Sequence, residues 1–514
     1  MPVPRLPSLL SAALPGPWLA AALIVLAGCD PNGATGDPGD AVIRGGQDPR
    51  ATLPPRPHVV VYMIDTLRAD RLGAYGHDGG TSPRIDALAG DAALFERAQA
   101  PAPWTLPSCV SLQTSSFPMN HGVVSARHSA ADELTTLTEF MQGRGYLTAG
   151  FIHNQLGGSQ GGLAQGYDHL VEKPQARELT PEDRAAGLHT LRPFFEWLRG
   201  QDGTRPLYAY IHTIEPHHPY DGHPDFGPPI SDERRQRLNK LLPEHRGRMG
   251  QLDPARPDPA EVALIAELET ELRAALPELW QLYDGDVLTA DENVGQVIDA
   301  LQANGLWEDT IFIVLSDHGE EFLEHGNWFH DHSLYQELLA VPLIVRAPGL
   351  TDGGRRVDVP VSLVDVAPTL ADLLGEPADP LWLGRSLLPA LRGETLSQAP
   401  VWSQRVNLDR KVAGIRALRG DQETARLEGD TKAVLHHEVD RMSLFDLGAD
   451  PGEYQDLAPA EAARVVELRA AVEAWGRAQA RTPFPRRLEK QLDDELLGLL
   501  RELGYVDAEA GAPR

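Results

Sequence analysis

The stretch Leu315-Ser316-Asp317-His318-Gly319-Glu320-Glu321 sets a carboxylate and an imidazole side by side at the exit of the apolar run Thr310 to Leu315. Both are metal-ligand types, and at the end of a buried strand they make a candidate cation site. A second β-branched run, His58-Val59-Val60-Val61-Tyr62-Met63-Ile64, ends in Asp65 and continues Thr66-Leu67-Arg68-Ala69-Asp70. In open α/β sheets the ligand crevice lies beyond the carboxyl ends of the strands, so Asp65 and Asp317 can meet there although far apart in the chain. Hard oxygen ligands plus one imidazole suit a divalent cation. Calcium, magnesium, manganese and zinc are all compatible, with the imidazole weighing against calcium.

A candidate nucleophile stands in Pro103-Trp104-Thr105-Leu106-Pro107-Ser108-Cys109-Val110-Ser111-Leu112. This reads as a helix start with Thr105 as N-cap and Pro107 in the first turn. A hydroxyl there faces unpaired backbone N–H groups, an environment that attracts an anion and, beside a cation, favours the alkoxide of Thr105. The competing reading is a plain N-cap threonine. Ser108 and Ser111 are also nucleophile types, but the pattern places them inside the helix, facing its own backbone.

The order Ile64-Asp65-Thr66-Leu67-Arg68-Ala69-Asp70, Thr105-Leu106-Pro107-Ser108, Glu215-Pro216-His217-His218-Pro219-Tyr220 and Ser316-Asp317-His318-Gly319-Glu320 resembles the sulfatase family of the alkaline-phosphatase superfamily. The resemblance continues through His325-Gly326-Asn327-Trp328-Phe329-His330-Asp331-His332 and Val341-Pro342-Leu343-Ile344 to Leu444-Phe445-Asp446-Leu447 and Asp450-Pro451-Gly452-Glu453. It implies that Asp65, Asp317 and His318 bind one divalent cation, with the Thr105 oxygen as nucleophile and fourth ligand. It further implies that His217 and His330 hold the anionic oxygens of a substrate or protonate the leaving group, with His332 and Arg68 as additional substrate contacts. A histidine near its ordinary pKa can play either part at neutral pH.

The departures from the family pattern bear on the chemistry. Type sulfatases carry a Cys or Ser, converted to formylglycine, in a Cys/Ser-x-Pro-x-Arg signature, whereas this chain has Thr105 first and Cys109 last. Threonine cannot become that aldehyde. No lysine precedes Lys173 and none lies between Lys240 and Lys411, spans where type sulfatases place lysines on the sulfate. An unmodified threonine beside one metal instead resembles the phosphoethanolamine and phosphoglycerol transferase branch. By that resemblance a second metal near Glu215, His217 and His330 is open. The expected activity is hydrolysis of a sulfate or phosphate ester in a glycan, lipid or small molecule. The alternatives are a phosphodiesterase, a transferase of that branch, or a non-catalytic binding lipoprotein that keeps the fold.

Alternating apolar strands and amphipathic helices must carry these residues. Leu134 to Gly143, Arg184 to Leu198 and the long region Ala260 to Asn304 read as helices; Tyr146 to Ile152 and Leu207 to His212 read as strands. This predicts an α/β/α sandwich around a large, mostly parallel sheet over residues 58–398. Residues 399–480 change to short strands, Val412 to Leu418 and Lys432 to His437, then a helix from Pro459 to Ala478, which resembles the small C-terminal α+β domain of sulfatases. A tail of residues 481–514 ends in an amphipathic piece, Leu492 to Leu503. Between His217 and the long helical region, Gly222 to Pro259 is proline-rich and charged around Arg234-Arg235-Gln236-Arg237-Leu238-Asn239-Lys240, a candidate lid or a solvated insertion.

The apolar run Trp18 to Gly28, closing Leu26-Ala27-Gly28-Cys29, resembles a bacterial lipoprotein signal peptide, with residues 1–28 removed and Cys29 lipidated. Residues 29–57, rich in Gly, Pro and Asp, then read as a flexible tether. The expectation is an exported protein of the cell envelope, held to a membrane by its N-terminal lipid. With Cys29 modified, only Cys109 is left and no disulfide forms within the chain. A formal charge of −28 over 514 residues argues against nucleic acid and against adhesion to anionic lipid by charge.

Overall fold

Strand β1 (His58–Ile64) is buried along nearly its whole length. Val59, Val61 and Met63 enter one apolar core, and Val60, Tyr62 and Ile64 enter another. A strand covered on both faces needs apolar residues at every position, which is why these runs read as continuous rather than alternating. In the computed structural model, which describes residues 53–172, 191–252, 258–406, 422–491, 497, 498 and 500, β1 lies at the centre of an eight-stranded sheet. The signal peptide, Cys29, most of the tether, the strand Val412 to Leu418 and most of Leu492 to Leu503 lie outside the described residues.

The other strands are β2 (Ala93–Phe95), β3 (Leu147–Ile152), β4 (His169–Glu172), β5 (Leu207–Thr213), β6 (Thr310–Ser316), β7 (Leu343–Arg346) and β8 (Arg355–Val357). Their spatial order is β8-β2-β7-β6-β1-β5-β3-β4. All run parallel except β7, which is antiparallel to both of its neighbours. Helices α1 (Pro83–Ala89), α2 (Thr105–Thr114), α3 (Leu137–Gly143), α4 (Leu191–Arg199), α5 (Asp232–Gln251), α6 (Pro259–Ala274), α7 (Leu276–Ala303) and α8 (Val366–Leu373) cover it. The core of Val59, Val61 and Met63 takes side chains from α2, α3 and α8, and the opposite core takes them from α1, α4, α5, α6 and α7. The fold is the expected α/β/α sandwich. The single long helical region is two helices, α6 and α7, separated by Ala275.

A second, antiparallel sheet follows: β9 (Val401–Val406), β10 (Gln422–Glu428), β11 (Thr431–His436) and β12 (Arg441–Asp446), paired in sequence order. Helix α9 (Ala462–Arg481) packs on it through Leu468 and Val472 against Ala433, Leu435, Met442 and Leu444. Buried Lys432 links this sheet to the larger body, with Nζ 2.5 Å from the Leu334 carbonyl and 2.6 Å from Glu453 Oε1. Among the described residues no helix is long and apolar enough to cross a membrane.

Candidate active site

Parity along three adjacent strands decides what meets above the sheet. Ile64 pairs with Thr213 on β5 and Ser316 on β6. Tyr208, Tyr210, Ile313 and Leu315 share the core of α2, so residues in step with them, His212, Asp65 and Asp317, fall on the α2 side. Asp65, Thr105, His212, Asp317 and His318 are all fully buried. Carboxylate oxygens of Asp65 and Asp317 and a ring nitrogen of His318 lie within 4.8 Å of one another.

Thr105 sits in the same cluster. Its Oγ1 lies 3.2 Å from His318 Nε2 and 3.4 Å from Asp65 Oδ1. Trp104 takes the N-cap position and Thr105 is the first helical residue, so the helix begins one place earlier than the sequence suggested, and the Thr105 hydroxyl is turned to the cluster rather than back onto the helix. Ser108 and Ser111 do not face their own helix. Ser108 Oγ donates to the Asp317 carbonyl at 2.7 Å, and Ser111 Oγ meets His121 Nε2 at 3.0 Å, so both tie α2 to neighbouring segments.

The surroundings hold each ligand type in place. Asp317 Oδ1 accepts from the N–H groups of Thr66 at 3.2 Å and His318 at 2.9 Å, while its Oδ2 has no hydrogen-bond partner. Thr66 adopts a left-handed backbone, φ 56°, costly for a β-branched residue. His318 Nδ1 donates to the Gly319 carbonyl at 2.8 Å, which leaves Nε2 as a lone-pair donor toward Asp65 and Asp317. Burial pushes the Asp65 carboxyl up, but the imidazoles of His212, His217 and His318 outweigh it and hold Asp65 below the usual range. Asp317 is raised, by burial and by the Asp65 charge. A buried pair of carboxylates with an unsatisfied oxygen and an aimed imidazole lone pair fits a divalent cation, which removes the repulsion that raises Asp317.

His217 and His330 stand beside this cluster, their ring centroids 5.3 Å apart and that of His330 4.4 Å from His318. His217 Nδ1 donates to the His218 carbonyl at 2.6 Å and its Nε2 has no hydrogen-bond partner. Burial lowers the pKa of both, His330 strongly, with the neighbouring His318 and His217 adding to it. Both imidazoles are therefore neutral at pH 7. His330 Nδ1 lies 2.8 Å from Glu320 Oε1, and Tyr220 OH donates to Glu320 Oε2 at 3.1 Å. Burial pushes the Glu320 carboxyl well above its usual range. The Glu320 carboxyl and His330 Nδ1 thus share one hydrogen, and when Glu320 carries it the hydrogen of His330 is on Nε2.

Two predicted substrate contacts are engaged with carboxylates beside the site. The Arg68 guanidinium is committed to Asp70 at 2.7 Å, Glu324 at 2.5 Å and the Glu320 carbonyl at 2.9 Å. His332 Nε2 meets Glu321 Oε2 at 2.6 Å. The arginines of the basic run are also taken: Arg234 pairs with Glu278, Arg235 with Asp232 and Arg237 with Glu271. The same helix α5 instead supplies Arg246, 2.8 Å from Asp331 Oδ1 and 3.4 Å from the His330 carbonyl.

Sequence reasoning missed Asn154, His212, Glu320 and Arg246. Asn154 Nδ2 donates to Asp65 Oδ2 at 2.8 Å and stands 3.4 Å from Thr105 Oγ1. Asn154 lies just past the end of β3 and His212 stands one residue before the end of β5, so the strand-end logic that found Asp65 would have found both.

The family model described as Sulfatase matches residues 57–376. The chain is similar to a choline-sulfatase of Rhizobium meliloti, 25% identical over 446 residues that span 78% of this chain and 82% of that one. An N-acetylglucosamine-6-O-sulfatase of Bacteroides thetaiotaomicron is 24% identical, again over 78% of this chain and 82% of its own. Among solved structures, a 2-O GAG sulfatase superposes with a TM-score of 0.66 at 21% identity, covering 83% of this chain and 93% of that one. A phosphonate monoester hydrolase of Agrobacterium radiobacter gives 0.63 at 20% identity, covering 85% and 100%. With the sandwich, the strand-end acids and this match in hand, the chain belongs to the sulfatase family of the alkaline-phosphatase superfamily and is a sulfatase-like hydrolase of ester bonds.

Proposed function

We propose that this hydrolase cleaves a sulfate or phosphate ester through the Thr105 hydroxyl, at a divalent-cation site made by Asp65, Asp317, His318 and Thr105 itself. The observation that carries the reading is the placement of Thr105 Oγ1 at the first turn of α2, within 3.4 Å of both His318 Nε2 and Asp65 Oδ1. A divalent cation held by these residues would lower the pKa of the threonine hydroxyl and neutralise charge on the transferring group. Asp65 and Asp317 supply oxygen donors, and His318 presents Nε2 because the Gly319 carbonyl fixes its tautomer. Thr105 Oγ1 then forms a bond to sulfur or phosphorus as the bond to the leaving oxygen breaks; the departing alcohol gains one proton. Water releases the Thr105 ester in a second displacement and restores the hydroxyl. Asn154 and the N-terminal amides of α2 face the negative charge of the transferring group. His330 Nε2–H donates to an anionic oxygen of the substrate, and His217 Nε2 accepts a proton from the attacking water or a substrate hydroxyl.

Phosphorus chemistry, including diester cleavage or transfer to a second alcohol, is favoured within this reading by the nucleophile itself. An unmodified threonine forms a stable ester that must be displaced, and the family's aldehyde route is closed to it. We further propose export and anchoring through lipidated Cys29, on the strength of Leu26-Ala27-Gly28-Cys29. The deciding experiment compares matched nitrophenyl sulfate, phosphate and phosphodiester. Thr105→Ala and chelator treatment should each abolish turnover, by at least about 10³-fold for the substitution. Turnover that survives Thr105→Ala would overturn the nucleophile assignment.

A further inference from the structure

One turn of α2 beyond Thr105, a second set of ligand types converges. Cys109 of α2, His212 of β5 and Asp317 beyond β6 are fully buried, and one sulfur, nitrogen or oxygen donor from each lies within 4.8 Å of the others. Ordinary structure does not satisfy them. His212 Nδ1 has no hydrogen-bond partner, and Nε2 reaches only Asp65 Oδ2, at a long 3.5 Å. The Cys109 thiol has the Tyr210 hydroxyl at 4.0 Å, the outer limit for sulfur. Asp317 Oδ2 is unsatisfied as well. Burying an imidazole whose nitrogens are poorly matched is costly in a folded interior, and coordination to a cation relieves it.

The backbone of Gly157 approaches His212 and Cys109 closely. A Cβ on Gly157 would stand 2.7 Å from His212 Nδ1 and 3.1 Å from Cys109 Sγ, so any larger residue there would fill the gap between the two donors.

We propose that Cys109, His212 and Asp317 form a second cation site, selective for a zinc-type ion. A thiolate and an imidazole beside one carboxylate suit a borderline-soft metal, whereas the oxygen-rich set around Thr105 admits harder ions. Asp317 is common to both sites and stands between them. The Cys109 thiol releases its proton to solvent on coordination. The second ion clamps α2 to β5 beneath the nucleophile, so that it positions Thr105 without touching substrate. The site goes beyond the proposed function and does not depend on which ester is cleaved.

The test is cobalt loading of the chelator-stripped full chain, read by metal stoichiometry and by near-ultraviolet absorption, where a cobalt–thiolate bond gives a charge-transfer band. Two equivalents of cobalt with that band are the expected result. Cys109→Ser should lose the band and one equivalent, and His212→Gln should do the same, the latter serving where the former does not fold. Asp65→Asn should lose the other equivalent and keep the band. One equivalent without the band, or a band that survives Cys109→Ser, overturns the second site and leaves the first standing. Failure to bind any cobalt overturns both.

Discussion

Thr105 and Asn154 both lean on Asp65, yet only one of them carries a reactive oxygen. Asn154 spends its amide on Asp65 Oδ2 at 2.8 Å and so fixes which oxygen of that carboxylate is left to face Thr105. Asn154→Ala is expected to lower both cation affinity and kcat by roughly 10- to 100-fold, as loss of an outer partner of a ligand does. Metal titration and steady-state kinetics on the same preparation check it, and unchanged affinity would mean that Asn154 has no hold on the ligand. Asp65, Thr105, Asp317 and His318 were legible in the sequence because each is a polar residue at the abrupt end of an apolar run or the start of a helix. Arg246 was not legible, because nothing within a charged helix marks which of its cations reaches Asp331 and the His330 carbonyl. Of the two roles expected of His217 and His330, holding anionic oxygens or protonating the leaving group, the choice turns on burial, which sequence does not display and which lowers both imidazoles.

At the level of elements, α2 is held by more than its apolar face. His121, in the turn after it, accepts from the Val123 N–H through Nδ1 at 3.0 Å, so its Nε2–H donates to Ser111 Oγ at 3.0 Å. Burial lowers its pKa to about 3 from 6.5, with the Pro107 carbonyl acting the other way. Its contribution is fully present above pH 6.5. As pH falls below that value the unfolded chain binds a proton that the folded chain refuses, and stability is lost until pH reaches about 3. Between pH 7.5 and pH 5 this amounts to ~2 kcal/mol. Urea denaturation of the wild type and His121→Gln at both values tests it: the wild-type advantage should shrink by that amount at pH 5, and a constant difference would exclude His121 as the acid-sensitive group. Element positions were readable from periodicity to within a few residues, as with Leu207 to His212 against Leu207–Thr213. The break at Ala275 was not, since Pro277 opens α7 within an uninterrupted helical pattern.

Across the molecule, the smaller sheet is tied to the larger body by polar contacts as well as apolar packing: the buried pair Lys432–Glu453 reaches across, Lys432 Nζ donating to the Leu334 carbonyl and Glu453 Oε2 accepting from the Gln336 N–H at 2.6 Å. Lys432 is 1% exposed and Glu453 3%. Lys432→Met is expected to destabilise the protein by about 3 kcal/mol, because it leaves Glu453 buried without its cation, and the double change with Glu453→Gln should restore most of that loss. Thermal unfolding of the three variants decides it; equal losses in the single and double variants would show that the pair is not coupled. Under the proposed lipidation of Cys29, the net charge of −28 leaves adhesion to an anionic membrane to the acyl chains. Cys29→Ala should therefore move the protein from the membrane pellet to the soluble fraction with activity intact, and retention in the pellet would exclude the lipid as its anchor. The sandwich was legible because both faces of β1 and β6 are apolar, whereas the way the second sheet docks was hidden in one buried lysine.

The parity of the central strands gives the site something like a reading frame. Point substitutions within Thr310 to Leu315 alter volume but leave Asp317 on the side of α2. Removing or adding a single residue there would turn Asp317 to the opposite layer and present Ser316 or His318 in its place. Long segments between strands carry no such penalty, and the chain accommodates the whole of α5 and α6 in one of them. Lineages of this protein are thus free to lengthen the loops that shape substrate choice, while any shift of register inside three short strands erases the chemistry at a stroke.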